Sequence, residues 1–99
     1  MPLTVTPYAF NNATVSRVNE VGGVYCLLQQ TATPDRFNIL YVGLSDDLHR
    51  RLLEHYNNPP IKGVTHFHVE AIPGALARAL REQALIREFN PPGNVHHTR

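Results

Sequence analysis

Tyr25 and Tyr41 stand in two apolar segments that mirror one another, Gly23-Val24-Tyr25 and Tyr41-Val42-Gly43. On neighbouring strands such phenols project from one face, where they either pack as ordinary cross-strand aromatics or meet a substrate. Arg51 and His55 follow four residues apart and therefore share one stripe of a helix. Taken singly, Arg51 reads as a solvated helix charge, as does Arg50 beside it. His55 alone reads as a cation at the negative end of a helix. Glu82, between Leu80 and the pair Leu85-Ile86, is either an exposed partner of Arg78 four residues earlier or a metal-binding carboxylate at the edge of an apolar face. Asn94, behind Pro91-Pro92-Gly93, is a common loop residue. His66 and His68 point to one side of a strand, but no third ligand is placed beside them, so they read as solvent-facing rather than as a zinc site.

The elements that must position these residues are legible from period and breakers. The run Val24, Tyr25, Cys26, Leu27, Leu28 is too short for a comfortable helix and rich in strand formers, and Ile39 to Gly43 makes a second strand antiparallel to it. Ser45 or Asp46 is the expected N-cap of a helix running to about Tyr56, with Leu48, Leu52 and Leu53 on its buried face. Two prolines after Asn57-Asn58 end it. Val64 to Ile72 alternates as a third strand, with Thr65, Phe67, Val69 and Ala71 on one side. Pro73-Gly74 turns the chain into a second helix over Ala75 to Phe89, dense in good helix formers. Residues 1–20 form an arm that packs as an edge strand or a short extra turn, its buriable side chains being Leu3, Val5, Tyr8 and Phe10. The domain spans residues 21–95, and residues 96–99 are a tail. The order strand, strand, helix, strand, helix defines an α+β fold, a small sheet flanked by helices.

Bulk properties narrow the function. An apolar fraction of 42% and a charged fraction of 17% suit one globular domain. A net charge of +1 is too mild to announce a nucleic-acid binder, although the arginines concentrate in the second half of the chain. Cys26 cannot form an internal disulfide and reads as a buried small hydrophobe in a reducing compartment. No stretch approaches the ~20 apolar residues that span a bilayer, and the first residues carry no signal-peptide pattern. The expectation is a cytoplasmic protein with no membrane partner.

In order and spacing, Gly23-Val24-Tyr25, Tyr41-Val42-Gly43, Arg51, His55, Glu82 in "LREQALIREF" and Asn94 in "NPPGN" resemble the GIY-YIG nuclease superfamily over about Gly22 to Asn94. The resemblance implies a three-stranded antiparallel sheet flanked by helices. It further implies hydrolysis of a nucleic-acid phosphodiester with one divalent ion, Mg²⁺ or Mn²⁺. Carried over by position, Glu82 is the metal ligand, Tyr41 or Tyr25 assists the attacking water with Tyr41 favoured as general base, and Arg51 holds the scissile phosphate. Gly23, Gly43 and Asn94 shape the substrate site. The types suit those tasks: a phosphodiester is already anionic, so a hard cation and a planar guanidinium are needed to neutralise charge on its oxygens. An isolated tyrosine has a pKa of about 10, so the phenol needs a neighbour, and His55 is expected to hydrogen-bond a motif tyrosine or the water. The chain departs from the pattern at Leu44, where relatives often carry a polar or basic side chain able to reach phosphate or metal-bound water.

The implied partner is DNA, or by the same phosphate chemistry RNA, with a branched, flapped or damaged structure as the expected target. If the source is bacterial, the protein is expected at the nucleoid. A homodimer or a partner protein would supply grip on a second strand. Two competing functions remain on the same residues. A non-catalytic nucleic-acid-binding or scaffolding module would keep the fold, and a purely structural α+β domain would bury both tyrosines far from Glu82.

Overall fold

The apolar run after Gly22 becomes the strand on which every other layer packs. In the computed structural model, which describes residues 7–97, the chain begins with a two-residue strand β1 (Tyr8–Ala9) and a one-turn helix α1 (Asn12–Val15). There follow β2 (Gly23–Gln30), β3 (Phe37–Ser45), α2 (Leu48–Asn57), β4 (His66–Ala71) and α3 (Ala75–Phe89). A short 3-10 helix, Pro92–His97, closes the described chain.

The sheet is antiparallel with strand order β1-β4-β2-β3. Central β2 is covered on both faces, which is why Gly23 to Leu28 are all buried instead of alternating with water. Tyr25 and Leu27 turn to one side, against Val15 of α1 and Leu48 and Leu52 of α2. Val24, Cys26 and Leu28 turn to the other, against Val42 and against Leu85 of α3. The sheet is thus the middle of three layers. Its register sets Tyr25 opposite Gly43 and Leu27 opposite Tyr41.

Four strands stand where three were expected, because the N-terminal arm belongs to the domain. Tyr8 pairs with Phe67 at the free side of β4, which covers part of an otherwise open edge. Val15 is wholly buried in the α1–α2 core. Leu3 and Val5, also expected to contribute, lie outside the described residues. At the other end the 3-10 helix runs past the expected domain boundary at residue 95 as far as His97.

Two further corrections concern caps and histidines. The N-cap of α2 is Asp47, whose side chain accepts from the Arg50 amide, while Ser45 accepts from the Asp47 amide and Asp46 pairs with the Arg50 guanidinium. All three oxygens serve the helix entrance, with the cap one residue later than the sequence suggested. His68 is buried, not solvent-facing, because the polar side of β4 lies under α3. Burial lowers its pKa and keeps the ring neutral beside Cys26, its cross-strand neighbour. The Cys26 thiol is pushed up to about 12, first by burial, and stays an inert hydrophobe.

Helix α3 has a thin apolar anchor. Leu85 is its one fully buried residue, with Ile86 and Phe89 partly buried around it. Its N-terminal half is held by arginines instead. Arg78 donates to the carbonyls of Ile72 and Pro73, and Arg81 forms a two-pronged ion pair with Glu70 at 2.8 and 3.0 Å. Among the described residues no helix is long and apolar enough to cross a membrane.

Candidate active site

Two groups of side chains meet at Tyr41. On the α2 side of the sheet, the Tyr25 hydroxyl lies 2.7 Å from His55 Nε2, and the two rings are 5.4 Å apart between centroids. Tyr41 stands 6.2 Å from Tyr25 and 5.8 Å from His55 by the same measure, so the three rings form a triangle. The Arg51 guanidinium acts on the Tyr25 phenol and donates to Glu54 at 3.0 Å. On the α3 side, Tyr41 lines an open groove of about 860 Å³ together with Glu82, Gln83, Arg87, Asn90 and Asn94. Tyr41 belongs to both groups.

The local sequence explains this placement. Tyr25 can lean across β3 only because residue 43 is glycine, since a Cβ there would fall on the phenol end of the Tyr25 ring. A Cβ at residue 23 would instead meet the backbone carbonyl of Glu70 and the side chain of Leu48. The space left by each glycine is therefore filled by protein, and their contribution is to packing beneath the site. In α2 the order Leu48, Leu52, His55 follows the buried stripe, which carries His55 into the core and leaves Arg51 at its margin, half-buried.

Electrostatics acts on Tyr25 and on His55. Burial holds the Tyr25 phenol well above its ordinary value, despite the lowering effect of the Arg51 hydrogen bond. His55 is brought down to about 4, by burial first and by the Arg51 charge second, so its ring is neutral near pH 7. A neutral ring shares one hydrogen bond with the phenol through Nε2, its direction set by the ring tautomer. Tyr25 is thus fixed in place by His55, whereas Tyr41 is the tyrosine that borders the groove of Glu82.

Asn94 is almost fully buried and spends its amide on the backbone. Its Oδ1 accepts from the Val42 N–H and its Nδ2 donates to the Val42 carbonyl, each at 2.8 Å. It thus acts as a surrogate strand against the free edge of β3 and fixes the residue next to Tyr41. Gln83, Arg87 and Asn90 are groove residues that no sequence motif singles out. Their spacing of four and three along the helix edge that follows Glu82 is the available signal. Leu44 is exposed on β3 and offers no polar group there.

Among the described residues no group of three or more His, Cys, Asp or Glu side chains could hold a metal ion, which speaks against a closed protein cage there. A single groove-facing carboxylate fits a different kind of ion, the hard octahedral cation that keeps most of its water and binds through one or two carboxylates.

A small sheet between helices, with two glycine–tyrosine strand segments paired antiparallel and a glutamate from the last helix beside them, is the architecture of the GIY-YIG endonuclease fold, and this chain has that fold. It is similar to the N-terminal GIY-YIG endonuclease domain of UvrC from Thermotoga maritima. With that domain bound to magnesium as its catalytic divalent cation, the match has a TM-score of 0.68 and 20% identity and covers 84% of this chain and 93% of the other. An asparagine-to-alanine variant bound to the cation matches with a TM-score of 0.68 and 19% identity over 84% and 92% of the two chains. A tyrosine-to-phenylalanine variant gives 0.66 and 19% over the same shares. At the level of sequence, no family model and no curated protein matches the chain.

Proposed function

We propose that the protein is a divalent-metal-dependent endonuclease that hydrolyses phosphodiester bonds in DNA. The observation that carries this reading is the shared groove of Tyr41 and Glu82, backed by the Tyr25–His55–Arg51 group, on the fold of an endonuclease domain. Both tyrosines are buried, as a structural domain would have them, but Tyr41 still borders the groove that Glu82 lines, which a structural domain does not require. The reading also agrees with the similarity to a domain described as binding a catalytic divalent cation.

In this reading Glu82 holds Mg²⁺ or Mn²⁺, and the ion, when bound, neutralises charge on the phosphate oxygens. Tyr41 borders the groove and, having first given its own proton to solvent, would as phenolate take the proton of the attacking water, because the Tyr25 phenol is buried and resists ionisation. Tyr25, fixed by His55, orients the Tyr41 hydroxyl. With a pKa of about 4, His55 is a poor final store for a proton and serves to hold Tyr25. Arg51 receives the scissile phosphate with its guanidinium fork. Glu54 occupies part of that fork now, in an exposed i,i+3 pair weak enough for a phosphate to replace. The donors of the groove suit phosphate oxygens, and in this reading selectivity comes from DNA shape, as at a branch, flap or lesion.

The test is to incubate purified protein with supercoiled, single-stranded and branched DNA and the matching RNA, each with Mg²⁺, Mn²⁺ or EDTA. The proposal expects metal-dependent nicking, strongest on branched DNA and abolished by EDTA. Tight binding with no cleavage in any metal would overturn it in favour of the non-catalytic module.

A further inference from the structure

The three arginines of α3 are used in different ways. Arg78 is committed to two backbone carbonyls and Arg81 to Glu70. Arg87 has no hydrogen-bond or ion-pair partner among the described residues, and it lines the same groove as Glu82. Gln83 lies four residues before it and Asn90 three after, so the three side chains follow one helix edge along the groove wall. All three are exposed.

Helix stability accounts for only part of this. A cation in the last turn of α3 is favourable against the helix dipole, which explains an arginine at residue 87 by itself. Asn90 ends the helix in the left-handed conformation at φ 45°, a role that glycine fills more readily. Neither effect explains why an arginine and two amides align on a groove that starts at a catalytic-type carboxylate. A guanidinium and neutral amides are the donors that bind phosphodiester oxygens, and they are placed where a carboxylate alone would repel a nucleic-acid strand. Glu82 and Arg87 are five residues apart, about 7.5 Å along the helix axis, which is on the scale of neighbouring phosphates on one strand.

We propose that Gln83, Arg87 and Asn90 form a subsite for a nucleic-acid phosphodiester adjacent to the one cleaved. This subsite tracks one strand along the groove and sets its register at Glu82. The inference rests on the nuclease reading and adds a binding position to it.

Equilibrium binding of a labelled branched DNA between about 50 and 200 mM salt tests it. The parent is the full chain carrying Glu82→Ala, so that cleavage does not intervene. Adding Arg87→Ala should weaken binding roughly 3- to 10-fold and flatten the slope of log K against log salt by ~0.7–0.9, the signature of one lost phosphate contact. Arg36→Ala, where the β2–β3 hairpin loop closes and not among the residues that line the groove, should change neither quantity. Equal affinity and slope for Arg87→Ala and the parent would overturn the subsite alone. An equal loss in Arg36→Ala would also overturn it, because total charge rather than position would then govern binding. A parent that binds no DNA would overturn both the subsite and the nuclease reading.

Discussion

The hydroxyl of Tyr25 and Nε2 of His55 lie 2.7 Å apart in a place that solvent barely reaches, Tyr25 being 1% and His55 6% exposed. The pair joins β2 to α2 through a polar contact inside an apolar layer. Because a buried polar atom costs more unpaired than a paired one contributes, each residue constrains the other.

The first consequence concerns pH. An unfolded histidine titrates near ~6.5, whereas folded His55 titrates at about 4. Between those values the unfolded chain binds a proton that the folded chain refuses, so this group makes stability fall as pH is lowered through that window. Its contribution is full above the unfolded value and reaches about 3 kcal/mol at most. Urea unfolding from pH 7.5 to 4 should therefore show a steeper loss in wild type than in His55→Gln. His68 contributes in the same direction but is present in both proteins, so identical slopes would contradict the assignment to His55.

Gly43→Ala should damage the site through Tyr25. The new methyl falls on the phenol end of that ring, and β3 cannot retreat easily because Val42 is pinned by Asn94 on one side and paired with Cys26 on the other. A destabilisation of about 1–3 kcal/mol is expected from the overpacking, with at least a tenfold loss of cleavage. Unfolding curves and cleavage rates measured on the same preparation check both.

Much of the fold is legible in the order of the residues, and the reasons differ by element. The span of α3 follows from a dense run of helix formers between Gly74 and Pro91, so both ends are set locally. The burial of His68 is not legible there, because alternation along β4 marks two faces without saying that α3 covers the polar one. An edge strand or a short turn is expected somewhere in residues 1–20, but its place at Tyr8 and Ala9 is not legible, because the pairing with β4 runs through backbone groups that leave no pattern in side chains. Within the site, order and spacing bring Tyr25, Tyr41, Arg51, His55 and Glu82 forward together. The division of labour between the tyrosines depends on tertiary contacts, Tyr25 meeting His55 beneath α2 and Tyr41 bordering the groove of α3, and neither contact is written in the strand pattern.

Asn94→Ala should loosen the edge of β3. Both 2.8 Å bonds to Val42 disappear and two buried backbone groups lose their partners, at a cost of about 2–3 kcal/mol. Hydrogen exchange at the Val42 amide should accelerate in step with the loss of global stability or beyond it. An unchanged exchange rate would contradict the role of Asn94 as a surrogate strand.

Arg81→Met should cost about 1–2 kcal/mol, since Glu70 is left partly buried without the partner that holds its carboxyl below the usual range. Arg81→Lys should recover only part of this, because an ammonium cannot reproduce the fork. Chemical denaturation of the two variants and of Glu70→Gln gives the comparison. Full recovery by lysine would show that charge alone, without geometry, secures α3.

The most direct measurement is the single-turnover cleavage rate of a branched DNA in Mg²⁺ for wild type and Glu82→Gln, with folding of each checked by circular dichroism. The groove that joins Glu82 to Tyr41 predicts metal-dependent cleavage by wild type and a loss of roughly a thousandfold or more in the variant. Equal metal-dependent rates in the two proteins would contradict the assignment of the site to this groove.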